Sequence, residues 1–289
     1  MNHNRRDFIK ISAGITAGFA LSGLTGLSLF DELENAKRLK KFGIQLYTVR
    51  DVFEKDPKGI LKQIAGFGYK QIESYERSTG MFWGMANTDF KKYVNDLGMD
   101  IISSHCDIDK NFEKKAADAA GINMKYIIAA WEGPGKTIDG YKKYADDLNR
   151  KGEICKKNGI RFAFHNHWFT FQKVEDQFPQ DVLLKNTDPS LVDFEMDMYW
   201  VVASGQDPEV WLKKYPNRFR LCHIKDRTKG TKEMADTCDL GTGSINFPQI
   251  LTTAKKNGME YYIAEQEHYI VSPMKSAEID AAYMKNLKV

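Results

Sequence analysis

The sequence contains few cysteines, and they lie too far apart to form a recognisable motif. They are Cys106, Cys155, Cys222 and Cys238, and no CxxC pair occurs. This spacing predicts neither a disulfide framework nor a cysteine-ligated metal site. Cys106 and Cys222 fall inside apolar, strand-like runs, which indicates packed free thiols. We therefore expect the chemistry of the protein to use other side chains.

The chain also lacks a marked excess of charge of either sign. Its formal net charge is +3, from 42 basic and 39 acidic side chains. Residues 1–30 contribute Arg5, Arg6 and Lys10 against Asp7, so the rest of the chain has 39 basic and 38 acidic side chains. No basic stripe or low-complexity tract occurs. This balance argues against a nucleic-acid partner bound through charge.

The first 30 residues resemble an export signal. Residues 4–10 read Asn-Arg-Arg-Asp-Phe-Ile-Lys, and the stretch 11–30 is apolar and rich in Gly, Ala and Leu. Paired arginines before such a stretch are typical of a twin-arginine signal, which a receptor reads. We therefore predict a signal segment at residues 1–30 and a periplasmic or otherwise exported protein without stable membrane insertion after cleavage. The alternative is an uncleaved membrane anchor, because the stretch is just long enough to span a bilayer and has no A-x-A site.

From Phe42 onward, short apolar runs alternate with longer amphipathic segments. The runs are Phe42–Tyr47, Gln71–Tyr75, Asp100–His105, Tyr126–Ala130, Arg161–Asn166, Val192–Asp197, Phe219–Lys225 and Glu260–Gln266. Eight strand–helix units predict an α/β fold, a single (β/α)8 TIM barrel over residues 40–289. An open doubly wound sheet is disfavoured, because the first run is followed by Thr48-Val49-Arg50-Asp51 rather than by a GxGxxG loop.

Glycines precede five of these runs, and we expect them to supply left-handed C-caps that end the preceding helices. They are Gly68, Gly98, Gly121, Gly159 and Gly258.

Polar residues collect where the predicted strands end, which is where barrels of this type carry their active sites. They include His105, His165, His167, Glu195, Asp197, His223, Lys225, Glu265 and Glu267. Strand residues two apart share a face, so His165 pairs with His167 and Glu195 with Asp197. His223 shares a face with Lys225 in the same way.

These strand ends together predict a metal site with mixed nitrogen and oxygen ligands. Such ligands favour Mn²⁺, Zn²⁺ or Co²⁺, and also Fe²⁺, over Ca²⁺ or Mg²⁺. Each residue also has a structural interpretation. Asp197 could cap a helix, and Glu265 could pair with Lys225 or Arg220. However, imidazole and carboxylate side chains at the ends of four neighbouring strands favour a metal site over these separate structural roles.

The motifs at these ends resemble the sugar phosphate isomerase/epimerase group of xylose isomerase-like barrels, over residues 42–287. They are Gly43–Asp51, Phe164-His165-Asn166-His167, Glu195–Trp200, Gly205–Pro208, His223-Ile224-Lys225-Asp226, Gly241–Phe247 and Glu265-Gln266-Glu267. The resemblance implies one divalent metal ion held by His165, Asp197, His223 and Glu265. Many epimerases of this group have Glu at the His165 position, where a pair of metal-bound carboxylates handles both protons, so His165 argues against a symmetrical two-carboxylate 3-epimerase mechanism.

The resemblance further implies an enzyme that acts on a small carbohydrate. We expect an isomerase or epimerase that works on a sugar or keto-sugar through a metal-stabilised enediolate. Glu265 is the first candidate for the base, with Glu195 or Glu73 as substitutes. Lys225 and His105 could donate a proton or orient a substrate hydroxyl.

Three alternatives remain open at the level of the sequence. The same enediolate could expel a group, which would make the protein a keto-glycoside lyase or a dehydratase. The barrel could also bind an exported sugar without catalysis. An endonuclease of the same superfamily is disfavoured, because the chain offers no basic groove for DNA.

Overall fold

The computed structural model describes residues 38–289, and the predicted signal at residues 1–30 lies outside them. Eight parallel strands close into a barrel in the order β1-β10-β7-β6-β5-β4-β3-β2. The strands are β1 (Gly43–Gln45), β2 (Gln71–Tyr75), β3 (Asp100–Cys106), β4 (Tyr126–Ala129), β5 (Arg161–His165), β6 (Val192–Asp197), β7 (Phe219–Ile224) and β10 (Tyr261–Ala264). Between β7 and β10, β8 (Asp226–Arg227) and β9 (Thr237–Cys238) form a small antiparallel sheet. The predicted (β/α)8 barrel is confirmed.

Helices separate the strands and surround the barrel. They are α1 (Arg50–Phe53), α2 (Pro57–Phe67), α3 (Asn87–Asp96), α4 (Phe112–Ala120), α5 (Ile138–Lys157), α6 (Pro179–Asn186), α7 (Met198–Ala203), α8 (Pro208–Lys214), α9 (Phe247–Lys256) and α10 (Pro273–Asn286). Two 3₁₀ helices, Leu46–Val49 and Trp168–Phe171, follow β1 and β5. No helix within residues 38–289 combines the length and the apolar character needed to cross a bilayer.

Local sequence signals explain several of these helix boundaries. α2 begins with Pro57, which needs no backbone N–H there, and the Asp56 side chain accepts a hydrogen bond from Gly59 N at 2.9 Å. α5 begins in the same way, with Thr137 Oγ1 accepting from Gly140 N at 3.1 Å. Both helices place apolar side chains against the strands, and this burial holds them to the barrel.

Four of the five predicted glycine caps have the expected left-handed backbone. They are Gly68, Gly98, Gly159 and Gly258, with φ between 74° and 103°. The prediction for Gly121 is wrong, since its φ is −57° and its N–H continues the helical pattern to Ala117 O. Asn123, with φ 58°, makes the left-handed turn instead. Asn tolerates this conformation better than most non-glycine residues do.

Outward-facing and inward-facing side chains of the barrel strands differ in polarity. Inside the barrel, polarity also changes along the barrel axis. Outward-facing side chains such as Phe164 and Phe194 belong to the core beneath the helices. Inside the barrel, a small apolar layer contains Ile128, Leu221 and Ile263. All four cysteines are free thiols, and Cys106 and Cys222 are buried, as predicted. Above the inner apolar layer, at the carboxyl ends of the strands, the interior side chains are polar and charged.

Candidate metal centre and active site

Four predicted site residues meet at the mouth of the barrel because their strands are neighbours. His165 ends β5, Asp197 ends β6, and His223 lies on β7 opposite Asp197 in register. Glu265 follows the end of β10, which pairs with β7. All four side chains are buried, with exposed fractions between 0% and 6%. The strand-end pattern therefore brings its residues to one place.

The donor atoms of this outer cluster (His165, Asp197, His223 and Glu265) face one another. His165 Nε2 lies 3.6 Å from Asp197 Oδ2, and His223 Nδ1 lies 3.8 Å from the same oxygen. His223 Nδ1 is also 3.2 Å from Glu265 Oε2. His165, Asp197 and His223 form a group in which the donor atoms all lie within 4.8 Å of one another.

The chemistry of the outer cluster fits a divalent cation. Neither ring nitrogen of His165 has a hydrogen-bond partner among residues 38–289, although both are buried. Burial lowers the pKa of His165 to about 4, so its ring is neutral and offers a lone pair. Two imidazoles and two carboxylates are the donors that Zn²⁺, Mn²⁺ and Co²⁺ accept. The residues that would hold the ion are therefore His165, Asp197, His223 and Glu265.

His167, two residues beyond the end of β5, is the alternative ligand, and the structure places it differently. Its ring lies 4.7 Å from the ring of His165, centre to centre, and contacts Trp131 on its other side. His167 belongs to neither of the metal-compatible groups found among residues 38–289. The geometry therefore favours His165 over His167 as the ligand.

A second, inner cluster lies beside the first and shares His223 with it. It consists of Glu73, His105, Glu195 and His223. His223 Nε2 lies 2.7 Å from Glu73 Oε1, and His105 Nε2 lies 2.8 Å from Glu195 Oε2. Since Nε2 of His223 faces Glu73, its Nδ1 is left to face the outer cluster. A metal-bound histidine usually donates its second N–H to a carboxylate in this way.

The inner cluster alters the protonation of its members. Burial disfavours a charged ring, but the carboxylates of Glu73 and Glu195 outweigh it and raise the pKa of His105 to about 9. Burial and the negative charge of Glu73 raise the pKa of Glu195 to about 7. Glu195 is fully buried and does not line the cavity, whereas His105 does. Glu195 could therefore reach a substrate only through His105.

Lys225 is buried among the carboxylates of the outer cluster. Its Nζ lies 2.9 Å from Asp197 Oδ2, 2.8 Å from Glu265 Oε2 and 2.6 Å from Glu267 Oε1. Burial opposes the charge of this ammonium, but the carboxylates, Asp197 first, hold the pKa of Lys225 well above its ordinary value. Lys225 thus stays charged.

Both structural interpretations of the site residues also hold in part. Asp197 Oδ1 accepts a hydrogen bond from Trp200 N at 3.2 Å and so caps α7. Its other oxygen, Oδ2, faces His165 and Lys225. Glu265 pairs with Lys225, whereas Arg220 pairs with Glu260 instead. The cap and the ion pair fix the two carboxylates in place and leave them directed at the cluster.

A cavity of about 940 Å³ opens above these residues. Its floor includes His105, His165 and Glu265, and its wall comes from the loops that follow β2, β3 and β4. Trp131, Trp168 and Trp200 line it. Trp83 does not, since it is buried against Phe53 and Tyr75.

Sequence reasoning missed the support of the inner cluster. Glu73 is held by Gln45 Nε2 at 2.7 Å and by Ser103 Oγ at 2.5 Å. The sequence does carry a signal for this support, because polar residues occupy inward positions of the first three strands. The same parity that selected His165 and Asp197 selects Gln45, Glu73 and Ser103.

The chain belongs to the xylose isomerase-like TIM barrel family, whose model matches residues 61–287. A sugar phosphate isomerase/epimerase from Parabacteroides distasonis has 31% sequence identity and a TM-score of 0.73, covering 86% of this chain and 94% of that one. The IOLI protein, whose structure contains a bound zinc atom, shares the fold at 14% identity and a TM-score of 0.68, covering 86% and 97% of the two chains.

Curated relatives include an inosose dehydratase from Clostridium perfringens, 31% identical over 163 residues. That match covers 50% of this chain and 54% of the relative, so the chain spans about half the length of the curated relatives it matches.

Proposed function

We propose that the protein is a divalent-metal-dependent isomerase or epimerase of a sugar or keto-sugar. The observation that carries the proposal is the convergence of His165, Asp197, His223 and Glu265 at the mouth of the barrel, where His165 and Glu265 line a large cavity. Zn²⁺, Mn²⁺ and Co²⁺ suit these donors, and zinc is the metal in one structural neighbour. The isomerase/epimerase from Parabacteroides distasonis supports the reaction class.

The proposed reaction begins when a proton leaves the carbon beside a substrate carbonyl. A divalent ion in the outer cluster would supply Lewis-acid stabilisation of the negative charge that then develops. Glu265 lines the cavity, and its carboxylate takes the proton. Lys225 Nζ, 2.8 Å from Glu265 Oε2, keeps that carboxylate ionised before the transfer.

His105 supplies the complementary acid on the other side of the floor. It lines the cavity, and its ring is held by Glu195 Oε2 at 2.8 Å and Glu73 Oε1 at 3.0 Å. Its raised pKa keeps the ring protonated at neutral pH. His105 can therefore donate a proton to a substrate oxygen or return one to carbon.

The substrate we propose carries no phosphate. The cavity is lined by six carboxylates, Glu76, Asp107, Asp109, Glu132, Glu265 and Glu267, against three cations, Arg77, Lys110 and the protonated His105. Such a lining repels an anion.

The glycine-rich loop after β9 gives no phosphate site either. Its N–H groups at Gly241, Gly243 and Ile245 donate to the Asp226 carboxylate at 3.0 to 3.1 Å. These groups are therefore already used within the chain.

A lyase or dehydratase acting on a keto-sugar is the second candidate. The observation that favours it is the pairing of a carboxylate with a protonated imidazole across the floor, since elimination needs a base for the α-proton and an acid for the leaving oxygen. Glu265 and His105 fill these roles. The inosose dehydratase among the relatives supports this alternative.

Deuterium exchange tests the shared first step of both candidates. The metal-loaded protein is incubated in D₂O with a panel of ketoses and keto-sugars, including an inosose, and followed by proton NMR. We expect exchange at the carbon beside the carbonyl of one substrate, and a loss of about 100-fold or more in Asp197→Asn. Asp193→Asn, on the same strand and face but bonded to Tyr126 and Arg161, is the matched control and should retain exchange.

The products separate the candidates. A product with all its carbon–oxygen bonds indicates isomerisation or epimerisation, whereas release of water or an alcohol indicates a lyase. Sugar binding without exchange on any substrate would instead support a noncatalytic binding barrel.

We also propose export of the protein through residues 1–30. A double substitution, Arg5→Lys with Arg6→Lys, should leave the chain in the cytoplasmic fraction of its host. Equal periplasmic yield from both forms would contradict this proposal.

A further inference from the structure

The cavity is larger than the proposed reaction requires. Its volume of about 940 Å³ lies at the upper end of the roughly 300–1,000 Å³ that drug-sized ligands fill. The side chains suited to the reacting atoms, His105, His165 and Glu265, occupy the floor alone. The outer part, between the loops after β2, β3 and β4, has no role in the proposed reaction.

Trp131 stands in this outer part and is unusually exposed. Its exposed fraction is 58%, whereas Trp83, Trp200 and Trp211 are between 3% and 7% exposed. Its ring packs nearly perpendicular to His167, at 4.6 Å and 83°, and to Phe169, at 5.3 Å and 85°. These contacts support the indole while most of it stays open, so it forms a positioned aromatic surface in the cavity wall.

Two residues that line the cavity near His165 and Trp131 carry unpartnered polar atoms. His167 Nδ1 and Trp200 Nε1 are buried and have no hydrogen-bond partner within the described part of the chain. Both residues line the cavity. Since buried polar groups are normally paired, these two atoms point to hydroxyl groups of a ligand.

The spacing leaves room for more than one sugar unit. Two ring-to-ring steps, 4.7 Å from His165 to His167 and 4.6 Å from His167 to Trp131, separate the metal ligand from the exposed indole. A ring whose carbonyl meets the outer cluster lies beside His165 and His167. The next unit along the cavity then lies against Trp131.

We propose that the outer part of the cavity is a second subsite, in which Trp131 stacks on the second ring of a disaccharide or of a similar glycoside. This inference rests on the proposed function only in placing the reacting ring at the floor. An apolar sugar face against an aromatic ring buries area that would otherwise remain in water. The acidic wall, with Asp109 and Glu132, offers acceptors for the hydroxyls of a neutral sugar.

Calorimetric binding to the metal-loaded full chain tests this subsite. The probes are cellobiose, maltose and lactose, each compared with the monosaccharides that compose it. We expect at least one disaccharide to bind about tenfold more tightly than its monosaccharides. Trp131→Ala should remove that gain and leave monosaccharide affinity unchanged, whereas Trp131→Phe should retain most of it. Val210→Ala, which alters a comparably exposed apolar residue outside the cavity, is the control.

Two results would overturn the subsite. One is that no disaccharide binds more tightly than its monosaccharides. The other is that Trp131→Ala weakens both kinds of ligand equally, which would place Trp131 against the reacting ring. Because binding is measured without turnover, absence of exchange on every sugar would count against the proposed function and not against the subsite.

Discussion

At the scale of single residues, His223 connects the two halves of the site. One ring nitrogen faces Glu73 at 2.7 Å, and the other faces Glu265 at 3.2 Å. Glu73 is itself held by Gln45 and Ser103, so the orientation of the imidazole depends on residues that touch neither metal nor substrate. Carboxylates in this position raise the basicity of the ligand and fix its tautomer.

Glu73→Gln should therefore weaken metal binding while preserving the fold. The amide keeps the shape of the side chain but removes the negative charge beside His223, so we expect the metal dissociation constant to rise roughly 10- to 100-fold. Competition with a chromophoric chelator measures this constant. Glu113→Gln, at an exposed position of α4, should leave it unchanged. Equal metal dissociation constants for both variants would contradict a role of Glu73 in metal binding.

At the scale of elements, the last helix, α10, packs a buried carboxylate against the loop after β9. Asp280 on α10 is fully buried, and its Oδ1 accepts from Leu240 N at 2.8 Å. Its other oxygen has no hydrogen-bond partner among residues 38–289. Burial first, and then the charges of Asp239 and Asp226, hold the pKa of Asp280 well above its ordinary value. The contact between α10 and the loop after β9 therefore favours a protonated side chain.

This shift makes the stability of the protein depend on pH. The pKa of Asp280 is higher in the folded chain than in the unfolded chain, so its contribution is full below the unfolded pKa and is lost as pH rises through the folded one. Asp280→Asn should raise the free energy of unfolding by about 1–3 kcal/mol at pH 8, and the gain should shrink towards pH 4. Urea unfolding at several pH values measures it. Asp89→Asn, exposed on α3, should show no such trend. A gain that is the same at every pH would contradict the assignment.

At the scale of the whole molecule, the sequence predicts the barrel well because its signals are periodic. Each of the eight predicted runs overlaps a barrel strand, and the alternation of side chains along the strands places His165, Asp197 and His223 in the interior. The turn after α4 was not predictable from Gly121, since a glycine permits a left-handed backbone without requiring it.

Features that depend on contacts between distant segments were harder to predict. Glu73 and His223 are 150 residues apart, and the barrel closure brings them together. The cavity wall combines loops after three strands, and no local pattern specifies how those loops pack around Trp131. Strand position and parity therefore predict which residues surround the site, while tertiary packing determines their hydrogen bonds and the shape of the cavity.

The metal content of the purified chain shows whether the outer cluster is a metal site. We expect elemental analysis to find about one divalent ion per chain in the unchanged protein and in Asp193→Asn, which replaces a carboxylate near the other end of β6. Asp197→Asn should lose most of the ion, because it removes a donor from the outer cluster. A chain that binds no divalent ion, or an Asp197→Asn variant that keeps its full content, would contradict the assignment of a metal-dependent active site.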